Sequence, residues 1–202
     1  MEECYRYTDL KWRLAQIPET ASCRGHFLNM LDDRAADFGL EVQRQYRDYF
    51  KLYRFSALRM YSVKDYLTRM VKLAQLQFGG PKIYDGIYRI QAEVFPAWRK
   101  TLFGRTSFAI LGSDFDGIVR LLSRQFSHVV NYSRMNLRIR PEGVLEVALE
   151  NEYVYIEYAM VGALHGVARA CQLPVKTKVR LTDPFNGIVE VEKEFNQPGR
   201  SP

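Results

Sequence analysis

The stretch "FSHVVNYSRMNLRIRPEGVLEVALE", residues 126–150, contains a change of hydrophobic period. Up to residue 130 the apolar side chains recur at the spacing of one helix face. Beyond it they alternate, with Met135, Leu137 and Ile139 on one face and the polar residues Asn136 and Arg138 between them. Alternation of this kind is typical of a half-buried antiparallel strand. The stretch therefore predicts a helix that leads into a hairpin.

The loop at residues 141–143 decides how the two strands face each other. With Gly143 in the left-handed conformation, a three-residue loop sets Ile139 opposite Leu145, so apolar residues share one face. A two-residue loop would set Ile139 against Glu146 and mix apolar with charged side chains. We therefore predict four cross-strand pairs: Ile139 with Leu145, Leu137 with Val147, Arg138 with Glu146, and Arg134 with Glu150.

Helices are predicted before this stretch and a second hairpin after it. Ser62 and Asp65 have the spacing of a helix-capping box, and Ser113 and Asp116 repeat it. Alternating residues on both sides of "DPFNG" predict the second hairpin. The predicted helices cover residues 22–39, 63–78, 84–94, 96–111, 114–130 and 155–172.

This order of elements predicts an α+β fold. N-terminal helices pack on a small antiparallel sheet made of two hairpins with a crossing helix. A length of 202 residues suits one domain. We expect an N-terminal extension, 1–21, packed on the domain, a single domain at 22–195, and a frayed tail at 196–202.

Composition narrows the function classes. An apolar fraction of 47% is enough for a continuous core, and a net charge of +6 permits anionic partners without requiring them. Three cysteines without a CxxC pair predict neither a disulfide framework nor a zinc site. The N-terminus has no apolar signal core, and no apolar run is long enough to span a membrane. We expect a cytoplasmic protein.

No motif for catalysis or metal binding is present in the sequence. GxSxG, HExxH, Walker and GxGxxG patterns are missing. His26, His128 and His165 are isolated, which favours structural or surface roles, because metal sites need several convergent ligands. Asp114 and Asp116 are interpreted as helix-capping residues. We expect no catalytic residue, no metal and no enzymatic activity.

A basic and aromatic segment, 44–64, allows two interpretations. Its cations and rings are suited to nucleic acid or an acidic partner, because bases stack on rings while cations hold phosphates. The helical spacing of its aromatic residues is equally typical of a buried face with a basic outer face, and we favour this second interpretation. The cations of this candidate partner surface are Arg44, Arg47, Lys51, Arg54 and Arg59.

The helix predicted at 155–172 concentrates small residues. Gly162, Ala163 and Gly166 allow close helix packing, or they leave room for a ligand or a subunit interface. Together with Tyr66 and Met70 on the helix at 63–78, they form the candidate ligand or interface site.

Several segments resemble a family of uncharacterised myxobacterial paralogous proteins. These are "IPETASCRGHFLN" (17–29), "YRFSALRMYSVKDYL" (53–67), "LFGRT" (102–106), "NYSRMNLRI" and "GALHGVARAC". The order of elements is similar to the superfamily of haem-nitric-oxide sensors, four-vinyl-reductase ligand domains and Bet3-like trafficking subunits. The resemblance implies a small or apolar ligand between helices and sheet, or a partner protein.

The haem-binding members of that superfamily carry residues that this sequence lacks. The resemblance implies an axial histidine early in the helix before the first hairpin, where this chain has Asp116 and Gly117. It also implies a Tyr-x-Ser-x-Arg motif after the second strand, where this chain reads "ALENEYVY". We therefore expect no haem and no other cofactor.

The sequence thus predicts a non-enzymatic regulatory or sensory domain. It would bind a small apolar ligand or a partner protein, with a homodimer as one form of that partnership. The alternative is binding of nucleic acid or an acidic partner through the segment 44–64.

Overall fold

The computed structural model describes residues 9–51, 54–100 and 102–194. The start of the predicted extension, the predicted tail 196–202 and part of the segment 44–64 lie outside the described residues. The fold is α+β, as predicted. The helices are α1 (Leu10–Gln16), α2 (Gly25–Asp37), α3 (Leu40–Tyr49), α4 (Val63–Phe78), α5 (Ile83–Ala92), α6 (Val94–Arg99), α7 (Leu102–Leu111), α8 (Phe115–Val129) and α9 (Val161–Ala170). The strands are β1 (Ser22–Arg24), β2 (Met60–Ser62), β3 (Arg134–Ile139), β4 (Leu145–Glu150), β5 (Val175–Asp183) and β6 (Asn186–Lys193).

The larger sheet is antiparallel and has the strand order β3-β4-β6-β5. All four predicted cross-strand pairs occur, including Ile139 opposite Leu145. Gly143 has a φ of 84°, the left-handed conformation that the three-residue loop requires. The two hairpins join through β4 and β6, which set Glu146 opposite Glu190.

The carboxylate of Glu146 is bound by Arg140 and not by its predicted partner Arg138. The reason is the third strand, which places Glu190 beside Glu146, so that the two carboxylates would repel each other without a cation between them. Arg140 also donates to Glu190 at 2.7 Å, and Arg180 reaches the same oxygen at 2.6 Å. Around Glu146 and Glu190, the outer face of the sheet is therefore a charge-paired network.

The predicted start of the first helix is wrong. Residues 22–24 form β1, which pairs with β2 and lets Cys23 bridge to Val130. The side chain of Asn131 accepts the N–H of Ser22 at 2.7 Å and donates to the carbonyl of Thr20 at 2.9 Å. These long-range hydrogen bonds override the local helical pattern, and α2 begins only at Gly25.

The predicted capping box at Ser113 is also wrong. The residue before α8 is Asp114, which makes no side-chain capping hydrogen bond. The carboxylate of Asp116 instead accepts a hydrogen bond from the ammonium group of Lys193 at 2.6 Å, because β6 brings that lysine to the first turn of α8. At Ser62 the prediction is confirmed, since its hydroxyl accepts the N–H of Lys64 at 3.2 Å.

Two other predicted helices have different limits. The helix predicted at 96–111 is two helices, α6 and α7, and Pro96 lies in the first turn of α6, where a missing N–H is tolerated. The helix predicted at 155–172 begins with a π-helical turn, Ile156–Met160, and continues as α9. Within the described part of the chain, no helix is both long and apolar enough to cross a membrane.

The core consists of two apolar clusters. One joins α2, α4 and α5, and the other joins α8 and α9 to the inner face of the sheet. Leu145, Val147 and Val189 line that inner face and are completely buried. The candidate site lies where the two clusters meet.

Candidate ligand cavity

A cavity of about 450 Å³ lies between α8, α9 and the sheet. From α8 it is lined by Val119, Leu122 and Phe126, which recur at helical spacing on one face. Gln125 also reaches it from the same helix. The other elements contribute mostly apolar side chains, among them Phe27, Phe95, Trp98, Met135, Val154 and Leu164.

The small residues of α9 divide between two faces. Ala163 lines the cavity, where its methyl group leaves room that a larger side chain would fill. Gly162 and Gly166 instead face α5, because a Cβ on them would lie 2.3 Å from the carbonyl oxygen of Tyr88 and 2.4 Å from that of Ala92. Of the alternatives that the sequence left open for these two glycines, the geometry favours close helix packing over room for a ligand.

One end of the cavity is polar. Tyr66, Gln91, Tyr132, Glu152 and Cys23 line it. The amide of Gln91 donates to the hydroxyl of Tyr66 at 2.6 Å, and a carboxylate oxygen of Glu152 accepts the N–H of the residue two positions on, at 2.9 Å. Glu152 is only 3% exposed.

Met70 is placed behind this polar end. It is buried, and its sulfur lies 2.9 Å from the side-chain nitrogen of Gln91. It is not among the described residues that line the cavity. Of the five predicted site residues, the structure thus brings Tyr66 and Ala163 to the cavity wall.

Burial sets the protonation of the polar end. It raises the pKa of Glu152 to about 7, although the N–H of Val154 and the charge of Arg13 oppose the shift. Burial also raises the pKa of the Cys23 thiol to about 12 and that of the Tyr132 hydroxyl well above its usual range. Burial likewise raises the pKa of Tyr66. Glu152 is therefore the member of this group that titrates near neutral pH.

Arg13 lies behind Glu152 and is completely buried. It donates to the carbonyls of Tyr153 at 2.9 Å and Pro184 at 3.3 Å, and its guanidinium carbon lies 4.2 Å from the ring centre of Tyr155. Burial lowers its pKa. Sequence reasoning missed both Arg13 and Glu152. Neither stands in a motif, and Arg13 lies in a charged segment that gives no sign of burial.

A second, larger hollow is an open groove of about 740 Å³ beside α5 and α9. Its charged groups are paired: Glu93 pairs with Arg169 at 2.7 Å and with Arg34 at 3.6 Å, and Arg89 pairs with Asp85 at 2.9 Å. His165, in its wall, meets the hydroxyl of Tyr88 at 2.7 Å and that of Thr177 at 3.2 Å. This arrangement ties α5, α9 and β5 together and offers no unsatisfied charge to a ligand.

The other two histidines also lie apart from the cavity. His128 is exposed at the end of α8, and His26 packs against Phe27. Among the described residues, no group of three or more His, Cys, Asp or Glu could hold a metal ion.

The basic segment 44–64 contains both paired or buried side chains and exposed cations. Arg44 pairs with Glu41 at 2.7 Å, and Arg54 pairs with Asp33 at 3.0 Å. Of its described rings, Tyr46 and Phe55 are buried and cannot stack on bases, whereas Tyr49 is exposed. The other three predicted cations, Arg47, Lys51 and Arg59, are exposed.

The fold is similar to that of solved H-NOX proteins. An H-NOX protein from S. oneidensis in the Fe(II)NO state matches with a TM-score of 0.65 and 14% identity, over 85% of this chain and 99% of that one. A variant of the T. tengcongensis H-NOX matches with 0.67 and 10%, over 85% and 98%. The unliganded Fe(II) H-NOX protein from K. algicida matches with 0.60 and 12%, over 88% and 100%. No protein-family profile and no curated protein matches the sequence.

Proposed function

We propose that this domain is a non-enzymatic regulatory or sensory module that holds a small apolar molecule without haem. The observation that carries the proposal is the cavity of about 450 Å³ between α8, α9 and the sheet. Its volume and mostly apolar walls with a few polar groups are typical of small-molecule sites. The similarity in fold to H-NOX proteins, whose solved structures contain Fe(II), supports a role in ligand sensing.

The cavity's residues do not fit haem. Among those described, no histidine, lysine or arginine lines it. Cys23, Tyr66 and Tyr132 would have to lose a proton to bind iron strongly, and burial raises the pKa of all three. Met135 and Met160 also line the cavity, but a thioether without a stronger ligand binds iron weakly. The carboxylate of Glu152 would repel haem propionates in a buried site. A neutral apolar molecule meets none of these obstacles.

The remaining features of the proposal follow from the sequence. We propose membership of the myxobacterial paralogous family and a cytoplasmic location. We also propose a protein partner or homodimer whose binding depends on whether the cavity holds a ligand. The alternative, nucleic acid or an acidic partner at the segment 44–64, has less support because Tyr46 and Phe55 are buried and Arg44 and Arg54 are paired.

Binding of a neutral fluorescent probe tests the proposal. N-phenyl-1-naphthylamine should bind the protein at one site with enhanced emission. Ala163→Phe, which places a ring in the cavity, should weaken that binding about tenfold or more, whereas Ala36→Phe on the exposed face of α2 should not. Haemin added to the apoprotein should give no stoichiometric, shifted Soret band. A stoichiometric Soret complex that Ala163→Phe abolishes would overturn the haem-free proposal.

A further inference from the structure

The buried carboxyl of Glu152 stands at the polar end of a cavity whose other walls are mostly apolar. It shares that end with the hydroxyls of Tyr66 and Tyr132 and the amide of Gln91. The side chains are close enough to influence one another, since Glu152 and Cys23 both act on the phenol groups of Tyr66 and Tyr132. A ligand in the cavity would therefore meet this cluster with one end only.

We infer that the cavity takes an amphiphile with an apolar body and a basic amine at its end, and that Glu152 binds the amine. The inference rests on the proposed function and names the ligand class for that site. An ammonium group has three N–H donors and no acceptor. The cluster offers acceptors in the Glu152 carboxylate and the Tyr132 hydroxyl.

Charge favours an amine over an acid. Among the described lining residues, Glu152 is the one carboxyl group, and no cationic side chain accompanies it. A buried carboxylate is costly unless it is paired, so a ligand cation beside Glu152 would stabilise its charged form beyond the hydrogen bonds that it already accepts. A ligand carboxylate would place a second negative charge beside the first. A neutral alcohol would donate one hydrogen bond and should bind with intermediate affinity.

The side chains that face Glu152 from the neighbouring elements are neutral. Tyr132 and Ser133 face it from the α8–β3 connection, Tyr66 from α4, and Cys23 from β1. None of them is a cation. The one nearby cation, among the described residues, is Arg13, whose guanidinium binds the carbonyls of Tyr153 and Pro184 and whose charge acts on both Glu157 and Glu152. Arg13 does not line the cavity, so it does not occupy the place of a ligand amine.

A matched set of probes tests the inference: decylamine, decanol and decanoate, below their micelle concentrations at pH 8. Trp98 lines the cavity, and Trp12 stacks on Phe185 outside it, at 5.7 Å between ring centres. In the variant Trp12→Phe, the fluorescence of the remaining tryptophan, Trp98, therefore reports on binding in the cavity. Decylamine should bind at least about tenfold more tightly than decanoate, and decanol should lie between them. Glu152→Gln should weaken decylamine about tenfold and change decanol by less than about threefold.

The outcomes separate the inference from the proposed function. If the three probes bind equally, or if decanoate binds best, the inference is wrong and the apolar cavity stands. If none of them binds, and N-phenyl-1-naphthylamine does not either, the proposed function fails as well. Should Glu152→Gln not fold, the probe preference of the unmodified site still decides, and Tyr132→Phe provides a second variant, which should weaken decylamine more than decanol.

Discussion

Replacing Glu152 by Gln should make the protein's stability less dependent on pH. Burial raises the pKa of this carboxyl from 4.5 to about 7, and the side chain is only 3% exposed, so little solvent screening applies. Between these two values the unfolded chain releases the proton while the folded chain keeps it. The stability that the neutral acid provides is therefore present below pH 4.5 and is lost as the pH rises through about 7.

The size of the effect follows from the shift. A pKa raised from 4.5 to about 7 corresponds to about 3 kcal/mol of unfolding free energy. Glutamine has the same shape, cannot ionise, and can still accept the N–H of Val154. Relative to the unmodified protein, Glu152→Gln should therefore gain about 3 kcal/mol between pH 4.5 and pH 8.

Urea unfolding at a series of pH values, followed by circular dichroism, measures this difference. Burial lowers the pKa of His26 and His165, but both histidines are present in the two proteins and their contributions cancel in the difference. Glu142→Gln on the exposed hairpin loop is the matched control and should follow the unmodified protein. Parallel stability curves for Glu152→Gln and the unmodified protein would refute the reasoning, because they would mean that Glu152 titrates like a solvated carboxyl.

Three further substitutions test the packing of α9 and the hydrogen bonds of the buried Arg13. Gly162→Ala and Gly166→Ala should each lower the free energy of unfolding by about 1–3 kcal/mol, because the new methyl group would meet a carbonyl oxygen of α5. Gly80→Ala, where a methyl group has open space, is the control. Urea unfolding measures all three variants. A cost under about 0.5 kcal/mol at both sites would contradict the close approach. Arg13→Met should cost about 3 kcal/mol, because it leaves the carbonyls of Tyr153 and Pro184 without their donor, whereas exposed Arg47→Met should cost less than about 0.5. Equal thermal midpoints for these two variants would show that the buried guanidinium stabilises little.

The parts of the fold that the sequence predicts best are those set by local chemistry. Alternation and the loop with Gly143 fix the β3–β4 register, because a slip of one residue would turn every apolar side chain to the wrong face. The strand β1 could not be found in this way. Three residues carry no period, and its partner β2 is far along the chain.

The candidate site depends on still more distant contacts. Ala163 and Tyr66 could be named from the sequence because small and aromatic residues on helices are visible as patterns. The burial of Arg13 arises from carbonyls 140 and 171 residues away, and no local pattern records it. Glu152 occupies a stretch in which the sequence showed only that a haem motif was missing. Its role depends on the surrounding walls, which only the assembled fold provides.

The two faces of α9 explain how one helix can both close the core and leave a cavity. Gly162 and Gly166 let its backbone approach α5 so closely that a single methyl group would not fit. Ala163 lies on the adjacent side and Leu164 on the opposite side, and both line the cavity toward α8. Moving α9 away from α5 by the width of a methyl group would press Ala163 and Leu164 into that space. The volume of the cavity is therefore maintained by the glycines, which do not line it, and Gly162→Ala should reduce probe binding as well as stability.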